Sequence, residues 1–338
     1  MSNSTLLSII IPTRNHATQL ATALDSLAKQ NPVPFDWEVV IVDNGSADGT
    51  PETIRGKARE LPLNICYVFE PRLGLHFGRH RGAREAKGTY LAFLDDDVIV
   101  TTDWIRGVEL LVQGHADAVA GRILLKWEVT PPKWLIRMST CLNNLGLLDE
   151  GDSVRPIEPV RACGGNLFIG KETLYELGGF HPDGFPKELL RYRGDGETGL
   201  MLKFSRRGLR CLYDPRALVW HCINTSRITA EYHITRAFNQ GISHSFTEIR
   251  TAYGLYANER TRNDKFNHSS TEKSVTERTL RGLERRIRVL RNKFFCKLYG
   301  GLCKKLENEN RAGWEFHQTE IQKDPTLLAY VLQETYLE

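Results

Sequence analysis

Y-L-A-F-L-D-D-D-V-I-V, residues 90–100, runs a short apolar segment into three consecutive carboxylates. The apolar part has the length of a buried strand, and Asp95, Asp96 and Asp97 stand at its carboxyl end. Carboxylates this close repel one another unless positive charge is held among them. Alternation along an extended chain turns Asp95 and Asp97 to one side and Asp96 to the other. Two hard oxygen ligands on one side suit Mg2+ or Mn2+ shared with a phosphate; the alternative is a solvated acidic turn.

Working outward, the preceding segments alternate between strand and helix signals. L-L-S-I-I-I (6–11) is a β-branched apolar run that Pro12 is expected to stop, and residues 17–29 place Leu20, Leu24 and Leu27 on one helical face. W-E-V-V-I-V (37–42) reads as a second strand, and Asp48 and Thr50 are caps for a helix opening near Pro51. N-I-C-Y-V-F (64–69) is a third strand and residues 77–87 a helix. This order of apolar strands and helices predicts the α/β class, a Rossmann-like, mainly parallel sheet covered by helices. In such sheets ligands bind beyond the carboxyl ends of the strands, which brings Thr13, Arg14 and Asn15, Asp43 to Ser46, Glu70 to Arg72 and the three aspartates to one edge. No G-x-G-x-x-G turn and no phosphate-binding G-x-x-x-x-G-K-[ST] loop occurs, so a nucleotide here needs another device.

The middle of the chain changes texture. L-K-W-E-V-T-P-P-K-W-L (125–135) reads as a loop, A-C-G-G-N-L-F-I-G (162–170) as a strand with a flexible Gly pair, and G-D-G-E-T-G-L-M-L-K-F-S-R-R-G (194–208) as a turn entering a helix that ends at Gly208. L-R-C-L-Y-D-P-R-A-L-V-W-H (209–221) is expected to form two short strands.

Taken in order, I-I-I-P-T-R-N, V-V-I-V-D-N-G-S-A-D-G-T, E-P-R-L-G-L-H-F-G-R-H-R-G-A-R-E-A-K-G and L-A-F-L-D-D-D resemble the family-2 glycosyltransferases, inverting enzymes of the GT-A fold. The resemblance runs from about Leu6 to His221 and implies a metal-dependent transfer of one sugar from a nucleoside diphosphate donor, a UDP-sugar being favoured, to a hydroxyl of a glycan or lipid-linked acceptor in surface polysaccharide synthesis. It makes Asp95-x-Asp97 the D-x-D motif, with Asp97 on the Mn2+ or Mg2+ and Asp95 on the ribose or, through water, on the metal. It sets Pro12, Thr13 and Arg14 against the nucleotide with Asp96, makes Asp43 an acceptor for a base N–H, and gives Arg79 a diphosphate or base contact; the family's Asn after that arginine is His80 here. His221 would complete the metal site. Inverting transfer needs a base for the acceptor proton; the segment around Asp195 and Glu197 matches the family's acidic pair, its first acid replaced by Gly194, which leaves Asp195 or Glu197 as the base. The other reading of both is as helix N-terminal acids held by the dipole. Trp127 and Trp134 are expected on the acceptor side, where aromatic faces stack on sugars, or else in the core. Gly165 and Asn166 are expected where backbone approaches a ligand closely, or at a bulge.

Composition bounds what else the chain can be. A formal net charge of +4, from 45 basic and 41 acidic residues, does not call for nucleic acid. Seven scattered cysteines without a C-x-x-C pair argue against a zinc cluster or a disulfide framework, and no run reaches the roughly 18 apolar residues of a membrane span, so a cytoplasmic protein is expected. Residues 1–225 read as the GT-A unit, with 1–120 the nucleotide-sugar half and 121–225 the acceptor half, and residues 226–338 as a mainly helical extension. Within it, residues 278–305 carry ten basic residues and the single acid Glu284, with Leu280, Leu283, Ile287, Leu290 and Phe294 at helical spacing. Such a helix either lies on an anionic membrane surface, here the inner face, or packs on the protein or on a second copy in a homodimer. Two rival functions stay open: a sugar-phosphate nucleotidylyltransferase, which expects a G-x-G-x-R loop that I-P-T-R-N-H lacks, and a catalytically degenerate glycan-binding subunit.

Overall fold

The apolar runs at 6–11, 37–42, 64–69 and 90–94 become four parallel strands, β1 Leu7–Thr13, β2 Trp37–Asp43, β3 Ile65–Phe69 and β4 Tyr90–Leu94. The structure, a computed structural model, describes residues 5–142, 145–256 and 296–337. Helices α1 Ala17–Leu27, α2 Thr50–Glu60 and α3 Leu75–Glu85 connect the strands. α2 starts where expected: the Asp48 carboxylate accepts from the Thr50 N–H at 3.0 Å and Pro51 occupies the first turn. Every β1 residue is buried, as are all but the first residues of β2 and β4, which is what a sheet covered on both faces demands.

β1 does not stop at Pro12. The Thr13 carbonyl accepts from the Asn44 N–H at 2.9 Å, so Thr13 faces β2 and the ring nitrogen of Pro12 faces the β4 side, where pairing has already ended at Ile10↔Phe93. A missing N–H costs nothing on that open side.

Among the described residues, nine strands form one sheet in the order β3-β2-β1-β4-β8-β6-β9-β5, with β7 on β9. The added strands are β5 Val98–Val100, β6 Ala118–Trp127, β7 Arg155–Pro156, β8 Asn166–Gly170 and β9 Cys211–Ile223. β8 runs antiparallel between β4 and β6, so the half after β4 is mixed. Two expectations are corrected here. The segment 125–135 is not a loop: β6 continues to Trp127, paired with Ile223, and after the Pro pair α5 Lys133–Leu142 begins. The segment expected to give two short strands forms one, β9 Cys211–Ile223, because the β6·β9 ladder jumps from Gly121↔Asp214 to Ile123↔Val219 and β9 carries Pro215 in that irregularity.

α4 Glu109–Val112, α6 Lys171–Glu176 and α7 Glu197–Arg206 complete the sheet's cover. Beyond β9, α8 Ala230–Ala252 packs along α9 Gly300–Lys323, and α10 Pro325–Val331 follows. The contacts of Ala237 with Asn310 and of Ser245 with His317 show that α8 and α9 run in the same direction. Most of the basic stretch 278–305 lies outside the described residues. Its described end belongs to the start of α9, where buried Cys303 packs with Leu135, Met138 and Ile223.

Candidate active site

A cleft of about 770 Å3 opens at the carboxyl ends of β1 and β4 and is closed on its far side by α8. All three aspartates line it, and each has its own positively charged or protonatable partner. Asp95 lies 3.5 Å from the Arg79 guanidinium. Asp96 accepts from the Thr13 hydroxyl at 2.6 Å and faces His16 Nδ1 at 3.0 Å. Asp97 meets the Arg227 guanidinium at 2.9 Å and His221 Nε2 at 3.4 Å. The protein therefore answers the acidic cluster partly with its own cations. Burial pushes the Asp95 carboxyl above its usual range, with the Asp97 charge adding to it and Arg79 opposing. Asp97 goes the other way: burial again favours the neutral form, but the His221 hydrogen bond and the nearby His221 and Arg227 charges hold it below the ordinary carboxylate range. His16 is raised, first by its bond to Asp96.

The residue types fit a divalent cation. His221 Nδ1 donates to the Leu145 carbonyl at 2.8 Å, which leaves Nε2 turned toward Asp97; a backbone acceptor behind a histidine is how metal-binding imidazoles are oriented. Arg227 lies 2.9 Å from both the Asp97 carboxylate and His221 Nε2. Among the described residues no three His, Cys, Asp or Glu side chains form a ready cage for an ion.

At the other end of the cleft, Arg79 is the hub. It projects from α3, stacks over the Phe180 ring at 4.7 Å, and lies 3.5 Å from Asp95, 3.6 Å from Glu197 and 3.8 Å from Asp183. A Cβ at Gly164 would press on this guanidinium and force it to shift, and a Cβ at Gly165 would collide with the Asp95 carboxylate. Asp183 lines the cleft with one oxygen buried and unpartnered, and burial raises its pKa with Arg79 opposing.

Asp195 and Glu197 are separated by Gly196, whose φ of 56° is a left-handed turn. Glu197 opens α7 and lines the cleft. Asp195 lies beneath it, 2.7 Å from His181 Nδ1, and accepts from the hydroxyls of Thr247 at 2.8 Å and Tyr256 at 2.9 Å. Burial would raise its pKa, but His181 and these donors outweigh burial and lower it.

The structure distributes the remaining expected site residues unevenly. Pro12, Thr13, Arg14 and Gly165 line the cleft. Asp43 is buried behind it, taken up by the Ser46 N–H at 2.8 Å and the Tyr67 hydroxyl at 3.1 Å. Asn166 is scaffold: it accepts from Trp104 Nε1 at 2.8 Å and donates to the carbonyls of Arg122 and Ala217. Trp127 and Trp134 pack in the apolar cluster around Leu135, Ile223 and Cys303. Asn44, expected at the strand ends, lines the cleft, as do His16, Asp183, Arg193, Arg227 and Arg236, which were not foreseen. Asp183 stands in a short H-P-D-G turn and His16 directly after the P-T-R-N stretch, whereas Arg193, Arg227 and Arg236 lie outside any motif quoted above.

Residues 8–178 match the family described as Glycosyl transferase family 2. The chain belongs to that family. It is 37% identical over 126 residues to validoxylamine A glucosyltransferase of Streptomyces hygroscopicus subsp. limoneus, a match that spans 37% of this chain and 27% of that relative's length. It is 26% identical over 239 residues to the succinoglycan biosynthesis protein ExoM of Rhizobium meliloti, covering 70% of this chain and 74% of that protein. Among solved structures, a mannosyltransferase of Pyrobaculum calidifontis in complex with GDP-Man and Mn2+ superposes with a TM-score of 0.53 at 17% identity, over 98% of this chain and 86% of that one. That likeness establishes the GT-A-type fold for this family-2 glycosyltransferase.

Proposed function

We propose that this family-2 glycosyltransferase is an inverting, divalent-metal-assisted enzyme that moves one sugar from a nucleoside diphosphate donor to an acceptor hydroxyl, with Glu197 as the general base. The observation that carries the proposal is the placement of Arg79, which ties Asp95 at the donor end of the cleft to Glu197 at the other within 3.6 Å of each. Glu197, not Asp195, is the acid with access to an acceptor, since Asp195 is engaged by three partners below the floor. A base must reach the proton it removes.

Asp97, Asp95 and His221 would hold Mn2+ or Mg2+. When bound, the cation neutralises charge on the leaving diphosphate. The chain's own residues do the rest. Pro12, Thr13, Arg14 and Asn44 line the end of the cleft at β1 and β2, and we assign the nucleoside to that end. Arg79, fixed by Phe180, supplies a buried positive charge near the reacting sugar. The acceptor oxygen forms its bond to the sugar's anomeric carbon as the bond from that carbon to the diphosphate oxygen breaks; the hydroxyl proton goes to Glu197 and the nucleoside diphosphate leaves with the bonding pair. Attack from the face opposite the leaving group inverts the centre.

Screening UDP-, GDP- and dTDP-sugars for Mn2+-dependent donor hydrolysis tests the reading. Hydrolysis of one donor class is expected, with a UDP-sugar favoured. Failure with every donor, in a protein that binds glycans, would favour a non-catalytic glycan-binding role.

For place and acceptor, the proposal is a cytoplasmic enzyme of surface polysaccharide synthesis that meets a lipid-linked acceptor at an anionic inner membrane face. Its support is the charge of residues 278–305, each Lys or Arg near such a surface adding about 1 kcal/mol before losses. No helix of the described residues is long and apolar enough to cross a membrane. Co-sedimentation with anionic vesicles at low and high salt decides it; absence of binding makes a soluble acceptor the better reading.

A further inference from the structure

α8 turns Tyr232, Thr235, Arg236, Asn239 and Gln240 to the cleft, and the spacing i, i+3, i+4, i+7, i+8 makes them one helical face. Opposite this face, just before α7, Arg193 also lines the cleft. Two polar atoms here are buried without a hydrogen-bond partner, Arg193 Nε and Asn239 Oδ1. The carboxylates nearest Arg193, Asp183 and Glu197, are shared with Arg79, at 3.8 and 3.6 Å. Arg236 and Arg193 are close enough to repel: burial first, and then the Arg236 charge, lower the Arg193 pKa while Asp183 and Glu197 oppose. Two mutually repelling cations, one of them with an orphaned N–H donor, are a costly arrangement for an empty cleft and a favourable one for an anion, while the orphaned Asn239 Oδ1 is an acceptor for a hydroxyl.

This positive end is distinct from the aspartate end. Arg227 has Asp97, Asp95 and Asp96 for electrostatic neighbours, whereas Arg193 has Asp183 and Glu197. The cleft thus has Arg227 and Arg79 at the aspartates and a further pair, Arg193 and Arg236, beyond them toward the proposed base.

We propose that the acceptor carries an oxyanion, a phosphate or a carboxylate, which Arg193 and Arg236 bind while the adjoining sugar lies along α8 with its hydroxyl at Glu197. The proposal rests on the reading of Glu197 as the base. Guanidinium forks match planar carboxylates and phosphate edges. Tyr232, Thr235, Asn239 and Gln240 line the cleft and offer donors and acceptors to the sugar's hydroxyls. An uncharged acceptor would leave Arg193 and Arg79 to share Asp183 and Glu197, with nothing added to offset Arg236.

The test uses the full chain saturated with Mn2+ and the nucleoside diphosphate it binds, titrated with glucose 1-phosphate, glucuronate and neutral methyl glucoside by calorimetry. At least one anionic sugar should bind about tenfold or more tightly than methyl glucoside. Arg236→Gln and Arg193→Gln should each erase that margin while nucleoside diphosphate affinity stays within about twofold. A preference for glucose 1-phosphate points to a sugar phosphate or lipid-linked phosphate, and a preference for glucuronate to an acidic glycan. Arg193 is half-buried, so its variant is checked by circular dichroism, and the exposed Arg236 decides if that variant misfolds. Equal binding of neutral and anionic sugars, or a margin that survives Arg236→Gln, overturns the proposal. Loss of nucleoside diphosphate affinity in both variants also overturns it, by moving the pair to the donor. If the wild type binds no nucleoside diphosphate, the glycosyltransferase mechanism fails, and the same titration without nucleotide still decides the anion site.

Discussion

On the donor side of the cleft, the polar residues stand at the ends of strands whose interiors, Leu7, Ile9, Ile10 and Ile11 in β1 and Leu91, Ala92, Phe93 and Leu94 in β4, are fully buried hydrocarbon. The wall across from them is fastened by polar groups. Asp195 is gripped by His181, Thr247 and Tyr256, the hydroxyl of Ser245 meets His317 Nδ1 at 2.7 Å, and buried Arg250 donates to the carbonyls of Val331 and Gln333. Where α8 and α9 touch, Gly241 and Gly313 let each helix lie against the other's backbone. Hydrocarbon burial is tolerant of detail, while buried polar pairs and backbone contacts fail sharply when one member is lost. The donor wall should therefore absorb substitutions that the far wall cannot.

The largest expected effect separates chemistry from fastening at two positions only two residues apart. Glu197→Gln should lower turnover by about two to four powers of ten, the usual worth of a general base, with nucleoside diphosphate affinity and stability nearly unchanged. Asp195→Asn should do the reverse, destabilising the fold by about 2–4 kcal/mol as a buried network loses its charge, with most turnover per folded molecule retained. Steady-state kinetics with denaturant melts on both variants check this. An Asp195→Asn protein as stable as wild type yet inactive would move the base back to Asp195 and erase the distinction between floor and cleft.

Next in size is the helix contact. A methyl at Gly313 would fall inside the van der Waals envelope of the Phe238 carbonyl oxygen, and backbone cannot give way as a side chain can. Gly313→Ala should cost about 3 kcal/mol or more despite alanine's better helix propensity. A denaturant midpoint equal to wild type would mean that α8 and α9 separate easily and that the acceptor wall is loose.

How far the sequence carried this picture follows the same division. The donor strands were legible because a two-sided sheet saturates its strands with apolar residues, and the aspartates were legible because nothing else ends such a strand so abruptly. The choice between Asp195 and Glu197 was not legible, since it turns on Gly196 at a φ of 56°, and a single left-handed residue reverses which side of the chain each neighbour faces. Trp127 and Trp134 read either as sugar platforms or as core; they are partly buried in one apolar cluster with Cys303, Leu302 and Leu306, which arrive from more than 150 residues away. Arg193 and Arg236 were invisible for the same reason: each is an ordinary surface cation until α8 folds over the cleft.

Acidification should weaken the far wall in particular. Burial lowers the pKa of His317 to about 4, and those of His181 and His233, which also bear on the C-terminal helices, to about 4. Histidine in the unfolded chain titrates near 6.5. Above that pH neither state is protonated and stability is complete; as pH falls from about 6.5 toward 4 the unfolded chain takes up protons that the folded chain refuses, so stability is lost. For His317, which has no charged partner, the loss approaches about 3 kcal/mol at pH 4. Urea midpoints measured from pH 7 to 4.5 should fall, and His317→Gln should flatten part of the slope. An unchanged slope in His317→Gln would show that this imidazole is hydrated or protonated in the fold.

The smallest effect should carry the opposite sign, and it lies on the donor side. Gly56 sits inside α2, exposed, with nothing within 4 Å of the place a Cβ would occupy. Its φ is not left-handed, so alanine meets no strain there. Glycine in a helix interior costs about 0.8–1 kcal/mol relative to alanine, chiefly because its unfolded chain has more freedom to lose. Gly56→Ala should therefore stabilise the protein by somewhat under about 1 kcal/mol, seen as a higher urea midpoint at constant slope, and leave turnover unchanged because α2 lies behind β2, away from the cleft. Gly56 and Gly313 are both mid-helix glycines, and opposite signs for the same Gly→Ala change would show that helix propensity governs where the core is hydrocarbon and the surface is free. A loss of stability in Gly56→Ala would mean that α2 has a partner the isolated chain does not show, and that surface is where to look for a second copy.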